Sequence, residues 1–480
     1  MPLNRTVQVV GISAAVGAVL AAVAVTAAGP WDAGQRTAER SRAASHSAGS
    51  PAPGPARHGG TPCGSAAAGG ASAGGGGCAG VDIVGAHAPA AGPVLTAAGS
   101  GQAPASLAAQ LTARLKPLMA APGLGTLRTG SVLDVASGQV LYDHRSGTAS
   151  TPASTTKLAT AVAALGTLGD AYTLTTTAVA TADGRVVLVG GGDPTLTLDR
   201  LAADTAAALR ARGTTSVRLG YDTSYYSGPT LHPIGVNENL APVTALMAAE
   251  GRLDPDSTGP ATRSPDPARS AAQQFAHLLA SHGISVTGTP KKASGAGGAR
   301  LAAHHSAPLD QLVERMLTDS DNDLAEALAR QVARATGQPL SFAGVAQALP
   351  RALRTYGVPL GKAVFTDGSG LNREDALPPA ALTRLLALAA SPDHPELRPV
   401  LDGLPVAAFT GTLASRFRGE GGAGVVRAKT GTLTGVNTIA GLTVTPSGRV
   451  LAFAFMTSGS TSAAAAEAAL DALASGVAGA

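Results

Sequence analysis

The chain has 480 residues, a formal net charge of +4, 3% aromatic residues and 14% charged ones. That length allows two domains and a tail, and the mild charge, with no basic run interleaved with aromatics, argues against a nucleic-acid-binding protein. There is no Cys-x-x-Cys or His-Glu-x-x-His and the histidines are scattered, so no metal site and no cofactor are expected.

Val7 to Ala28 is an uninterrupted apolar run of membrane-spanning length behind Arg5. Small residues at Ala22-Val23-Ala24 and Val25-Thr26-Ala27 also offer cleavage sites. Residues 1–29 are therefore expected to be a membrane anchor or a cleaved secretory signal, and either places the rest outside the cytoplasm. Residues 30–103 are Gly, Ala, Pro and Ser with few large apolar side chains, the composition of a disordered linker. Cys63 and Cys78 lie in it, and both a small disulfide loop and two free thiols stay open.

Leu107, Leu111, Leu115, Leu118 and Met119 share one side of a predicted helix. Gly130 to His144 then reads as two strands joined by a Ser-Gly turn. Pro152 leads into Ala153-Ser-Thr-Thr-Lys157 at the head of a helix. Ser154 and Lys157, three apart, point the same way. Near the first turn the Ser154 N–H is also a free donor. This gives a nucleophile, an amine able to take its proton, and half of an oxyanion hole.

The stretch that follows alternates strand and helix: Arg185 to Gly190, Leu198 to Arg212, Ser216 to Asp222, Pro267 to Ser281, Ile284 to Gly288. Gly190-Gly-Gly-Asp-Pro194 lacks the Gly-Lys-Ser/Thr of a phosphate loop and reads as a tight turn. His304-His305 reads as strand surface. Ser320-Asp-Asn322 heads a helix with Leu324, Ala327, Leu328 and Val332 on one face, ended by Gly337. Asn322 alone would equally suit a helix cap. Helices are predicted at Phe342–Tyr356 and Ala380–Ala390, with a Gly-rich turn at Phe365–Leu371 between them. Strands at Val425–Thr432, Thr438–Val444 and Val450–Met456 form an antiparallel meander that the early hairpin can complete, and a helix from Ala463 to Ala474 closes the chain.

Lysine usage adds an independent argument. Only Lys116, Lys157, Lys291, Lys292, Lys362 and Lys429 occur; every other basic side chain is arginine or histidine. Arginine cannot be deprotonated in a protein, whereas a buried lysine beside another cation can lose its proton near neutral pH. Lys157 as a base needs that property, and Lys429 is expected to help depress its pKa.

Ser154-x-x-Lys157, Ser320-Asp-Asn322 and Lys429-Thr-Gly431, in that order, resemble the signature of the penicillin-recognising serine acyl-transferases. Pro152–Lys157, Gly190-Gly-Gly-Asp-Pro-Thr-Leu196, Ser320–Glu326, Asp367-Gly-Ser-Gly-Leu371, Gly411-Thr-Leu413 and Lys429–Leu433 are similar to the low-molecular-mass class C penicillin-binding proteins, the D-Ala-D-Ala carboxypeptidase/endopeptidases. The resemblance covers about Ala105 to Ala474. It implies an α+β, β-lactamase/transpeptidase-like fold, an antiparallel sheet flanked by helices. The catalytic domain would comprise residues 104–170 and 300–480, and an inserted α/β subdomain residues 171–299, short for the family.

The same resemblance implies the roles. Ser154 attacks a terminal D-Ala-D-Ala bond of a peptidoglycan stem peptide, and Lys157 is the base. Ser320 relays a proton to the leaving amine and Asn322 holds the substrate amide. Lys429 supplies positive potential, and Thr430 and Thr432, flanking Gly431, bind the terminal carboxylate. The N–H groups of Ser154 and Thr432 form the oxyanion hole. β-Lactams would acylate the same serine. Glu326 reads as a structural ion-pair partner, and Asp367 and Ser369 as turn residues outside the catalytic set. A serine β-lactamase is the nearest alternative, disfavoured because no clear Glu-x-x-x-Asn follows Asn322. A membrane-tethered wall-binding scaffold without activity is the alternative of another class.

Overall fold

The computed structural model describes residues 101–257 and 259–480. The apolar run at Val7 to Ala28, the Gly/Ala-rich stretch after it and both cysteines lie outside the described residues. Among the described residues no helix is long and apolar enough to cross a membrane.

The described residues open with α1 (Ala105–Met119), the hairpin β1 (Leu127–Asp134) and β2 (Val140–His144), and α2 (Thr156–Leu168). An α/β insertion follows: β3 (Thr175–Ala180), β4 (Arg185–Val189), α3 (Asp199–Arg210), β5 (Ser216–Asp222), α4 (Pro267–Ser281), β6 (Ser285–Val286), β7 (Lys291–Lys292) and β8 (Ala299–His305). Four helices come next, α5 (Leu309–Thr318), α6 (Asn322–Ala335), α7 (Phe342–Thr355) and α8 (Pro379–Ala390). The end is β9 (Arg427–Leu433), β10 (Val436–Val444), β11 (Val450–Ser458) and α9 (Ala463–Ala478).

Two sheets organise these elements. The first is antiparallel, in the order β2-β1-β11-β10-β9, so the early hairpin does complete the C-terminal meander. Its central strand is buried on both faces, which is why Val450 to Met456 is a continuous apolar run rather than an alternating one. Phe453 and Phe455 pack with α1 and α9, whereas Ala452, Ala454 and Met456 pack with the α2, α5, α6, α7 and α8 cluster. The small alanines on the latter face let α8 approach closely. β9 is left at the edge, its outer side bridged only at its start, where Arg427 pairs with Val406.

The second sheet runs β6-β5-β4-β3-β8, with β7 beside β5. β4, β5 and β6 are parallel and joined through α3 and α4, while β3 pairs antiparallel with β4 and β8. The sequence reading missed β3, whose TTTAVA has strand propensity but no turn signal marking its start, and α5, which follows β8 with only a short connection. Gly190–Asp193 forms no tight turn: Gly192 is a bend, Asp193 bridges Leu246, and the turn follows at Pro194-Thr195. A side chain on Gly191 would collide with the Thr175 carbonyl, and Gly192 N–H donates to Ala245 O at 2.8 Å. This close backbone approach docks the long connection from residue 223 to residue 266, which crosses toward α6.

The insertion has its own core of Val186, Leu188, Leu201, Leu219, Phe275 and Leu279 with their neighbours. Phe275 is fully buried there on the inner face of α4. Replacing it with alanine removes a large ring without touching a hydrogen bond. Phe275→Ala is expected to lower unfolding free energy by about 3–5 kcal/mol, measured by denaturant titration.

Candidate active site

Ser154 sits in a single 3₁₀ turn, Ala153–Thr155, immediately ahead of α2. Ala153 before it has φ +48°, a left-handed conformation that a non-glycine residue adopts only when its surroundings impose it. Thr155 and Thr438 impose it in part: both hydroxyls donate to the Pro152 carbonyl, at 2.6 and 2.8 Å. Ser154 itself is half-buried and so reachable from outside.

Lys157, one helical turn on, has no solvent exposure. Its Nζ lies 3.0 Å from Ser154 Oγ, 2.6 Å from Asn322 Oδ1 and 2.9 Å from the Ser369 carbonyl. The Asn322 amide is oriented by its other end, because Nδ2 donates to the Asn239 carbonyl at 2.9 Å. A neutral amine has two N–H bonds and one lone pair. Asn322 Oδ1 and the Ser369 carbonyl can only accept, so they take the two N–H groups. The lone pair is left facing the serine hydroxyl, which is the geometry of a general base.

Burial is the largest influence on Lys157 and pushes its pKa down to about 8; Asp367, Asp321, Glu326 and Asp323 pull it back up. Lys429 is buried as well, and burial and then the charge of Lys157 hold its pKa well below the usual lysine range. Lys429 Nζ donates to Ser320 Oγ and to the Thr430 carbonyl, each at 2.8 Å. Ser320 also has positive φ, +59°, so a strained residue flanks each catalytic helix.

The edge strand β9 completes the cleft. Gly431 is buried against the nucleophile turn, and a side chain there would come within 2.8 Å of Pro152 O and 2.9 Å of Ser154 N. Only glycine lets the strand lie that close. Thr430 Oγ1 meets Thr412 Oγ1 at 2.8 Å. Thr432 is exposed, its hydroxyl 3.4 Å from Glu467 Oε1 on α9.

The structure thus gathers Ser154, Lys157, Ser320, Asn322, Lys429, Thr430 and Gly431, with Thr432 on the rim and turned toward α9. Asn322 is not the helix cap: Asp321 fills that place, accepting the Leu324 N–H at 3.0 Å, and frees Asn322 to face Lys157. Glu326 pairs with Arg330 at 3.0 Å, and its other oxygen accepts the N–H groups of Gly368 and Ser369. Asp367 also does more than shape its own turn, since its turn supplies the Ser369 carbonyl.

Two contributors gave no signal in the sequence: His232 and Asn239 lie outside the predicted helices and strands and outside every motif, whereas Thr412 falls within Gly411-Thr-Leu413. Among the described residues His232, Glu326 and Asp367 cluster closely enough to suggest a metal site. Backbone N–H groups and Arg330 already occupy the carboxylate oxygens, so the cluster is bonded as a structural knot.

The model of the D-Ala-D-Ala carboxypeptidase 3 (S13) family matches residues 111–261 and 248–478. Carboxypeptidase Rv3627c of Mycobacterium tuberculosis is 38% identical over 372 residues, 73% of this chain and 80% of that protein. D-alanyl-D-alanine carboxypeptidase of an Actinomadura species is 30% identical over 421 residues, 68% of this chain and 77% of that one. The fold is similar to that of penicillin binding protein 4 from Haemophilus influenzae, with a TM-score of 0.63 at 22% identity, covering 76% of this chain and 98% of the other.

Two outcomes follow from the site geometry. Gly431→Ala is expected to lower the rate of attack at Ser154 by about 100-fold or more, by forcing β9 off the Ser154 amide; single-turnover acylation with a labelled penicillin reads it. The acylation rate constant of the native protein is expected to rise about tenfold per pH unit and level off above about pH 8, because only uncharged Lys157 can take the proton.

Proposed function

The chain belongs to the D-Ala-D-Ala carboxypeptidase 3 (S13) family and is a serine D-Ala-D-Ala carboxypeptidase, and from that premise we propose how its residues divide the work. Ser154 attacks the carbonyl of the penultimate D-Ala, and Lys157 takes the hydroxyl proton through its lone pair. The developing oxyanion is met by the N–H of Ser154 and that of Thr432 on the abutting strand, each donor worth about 3 kcal/mol. The proton that Lys157 took is returned through Ser320 to the departing D-Ala amine, which leaves Lys157 uncharged again for the second half of the cycle. Water then releases the shortened stem peptide.

The single observation that carries this reading is the bonding of Lys157, whose two acceptors leave the lone pair on Ser154. Lys429 fits the role of carboxylate anchor through its place between Ser320 and the Thr430 carbonyl. An incoming substrate carboxylate would raise its depressed pKa and so draw a proton onto the amine. Thr430, held by Thr412, offers the hydroxyl beside it.

We further infer that peptidoglycan stem peptides and β-lactams occupy this one cleft, the latter because they present a strained amide in the place of the scissile bond. The apolar run Val7 to Ala28 supports export, as an anchor or a removed signal, to the compartment where such peptides occur. A β-lactamase reading needs a carboxylate free to activate deacylating water. Glu326, the glutamate behind Lys157, has its oxygens committed to Gly368, Ser369 and Arg330.

Wild-type protein is expected to release D-Ala from a pentapeptide stem and to carry a long-lived penicillin adduct on the peptide containing Ser154. Ser154→Ala should lose both while keeping its melting temperature. Rapid turnover of penicillin would favour the lactamase, and no D-Ala release by the wild type would favour a scaffold.

A further inference from the structure

We propose that His232, on the long connection of the insertion, is a positioning residue for acylation: through Asp367 it holds the 367–371 turn whose Ser369 carbonyl fixes the Lys157 amine beneath Ser154. The inference rests on Lys157 acting as the base and extends that reading to a part of the chain outside the three motifs.

The bonding fixes the direction of each link. His232 is 2% exposed. Its Nδ1 accepts the Ile234 N–H at 3.2 Å, so in the neutral ring the proton is on Nε2. Nε2 donates to Asp367 Oδ2 at 2.9 Å. The Asp367 carboxylate in turn accepts the N–H groups of Ser369, Gly370 and Asn372, at 3.1, 2.6 and 2.7 Å. These bonds, with those from Glu326, set the peptide planes of the turn and aim the Ser369 carbonyl at Lys157.

The turn is wedged between the two catalytic helices. Thr160, one turn below Lys157 on α2, donates to the Gly368 carbonyl at 2.7 Å. A side chain on Gly368 would meet Ala325 and Ala329 of α6, and one on Gly370, at φ +81°, would collide with the Ala153 carbonyl beside the nucleophile. Any slackening at Asp367 therefore reaches both Lys157 and Ser154. Phe342 stacks edge-on against the imidazole, with ring centroids 5.3 Å apart, and closes it off from water.

The charges around this chain decide the sign of the effect. Lys157 faces the turn from α2 and Glu326, paired with Arg330, faces it from α6, whereas Asp321 and Asp323 at the head of α6 bond to Arg315 and Arg263. Asp375, at the end of the turn, is pushed up to about 9 by burial and by the charge of Asp367, so it carries the proton of that pair. The Asp367 carboxylate stays ionised despite burial because of the donors from His232, Asp375 and the turn. It is also the largest electrostatic support for the Lys157 ammonium. Burial unopposed would leave the amine too weakly basic to draw the serine proton. His232 thus keeps Lys157 both aimed and basic.

The test is the rate constant for acylation by a fluorescent penicillin at saturating concentration, followed from pH 6 to 9.5. This first-order constant does not depend on the folded fraction. His232→Ala is expected to lower the plateau roughly 10- to 100-fold, as a misplaced catalytic group does, and to move the acid limb to lower pH. His232→Gln, which can still present an N–H to Asp367, should recover most of the plateau and the limb. His232→Leu fills the site without an N–H and should repeat the loss if the alanine variant does not fold. A native plateau and limb in the alanine or leucine variant would overturn the proposal. So would a loss shared equally by the glutamine variant with the limb unmoved, which is the mark of packing alone. Lys157→Arg, run in parallel, separates the two readings: if it still acylates, the base assignment itself fails, and if it is inert while the His232 variants behave as native, only the present inference fails.

Discussion

The architecture depends on keeping one amine out of water without losing its basicity. Lys157 is fully buried, and burial by itself would lower its pKa far past any useful value. Carboxylates on α6 and on the 367–371 turn oppose that pressure, and the balance falls at about 8. At neutral pH roughly a tenth of such an amine is uncharged, enough for a base whose conjugate acid is still reluctant to hold its proton. Each carboxylate must then be buried too. The N–H groups, arginines and histidine that satisfy them account for most of the polar interior of the helical layer.

Rigid elements supply the aim. Ser154 and Lys157 come from one helix start, Asn322 and Glu326 from one face of α6, and Gly431 from a strand whose outer edge is bridged only at its start, by Val406 against Arg427. An unpaired edge is ordinarily a liability. Here, in the function proposed above, it would present the Thr432 N–H beside Ser154. Two of the positive-φ non-glycine residues, Ala153 and Ser320, sit next to or within the groups gathered at the site, where local strain is held by tertiary packing rather than relieved.

How far the sequence disclosed this follows from the range of each interaction. Ser154 and Lys157 were legible because three residues on a helix fix a direction. The meander was legible because short turns leave neighbouring strands no other partner. Asn322 was ambiguous, since Asn caps helices readily, and the ambiguity is removed only by Asp321 taking the cap. Lys157 and Lys429 were legible as two cations brought near each other, but which lies deeper among carboxylates is not visible from spacing. His232 and Asn239 were invisible. Their contacts with Asp367 and Asn322 span 135 and 83 residues, from a stretch with neither periodicity nor motif.

That stretch explains why the insertion is attached so firmly. From residue 223 to residue 266 the chain has little regular structure, yet Leu240, Ala241, Val243, Leu246, Glu250 and Arg263 are buried. Arg263 pairs with Asp323 at 3.2 Å, the Ala241 N–H reaches the same carboxylate at 3.1 Å, and Glu250 engages Arg252 and Arg315. Buried ion pairs contribute little net stability once desolvation is counted, but they penalise every arrangement that separates them. Their value here is registration: they pin the connection against the head of α6. In that register the Asn239 carbonyl meets Asn322 and the His232 ring meets Asp367. The insertion is therefore continuous with the catalytic body at the level of single hydrogen bonds, and a change in its packing would be transmitted to the amine that Ser154 depends on.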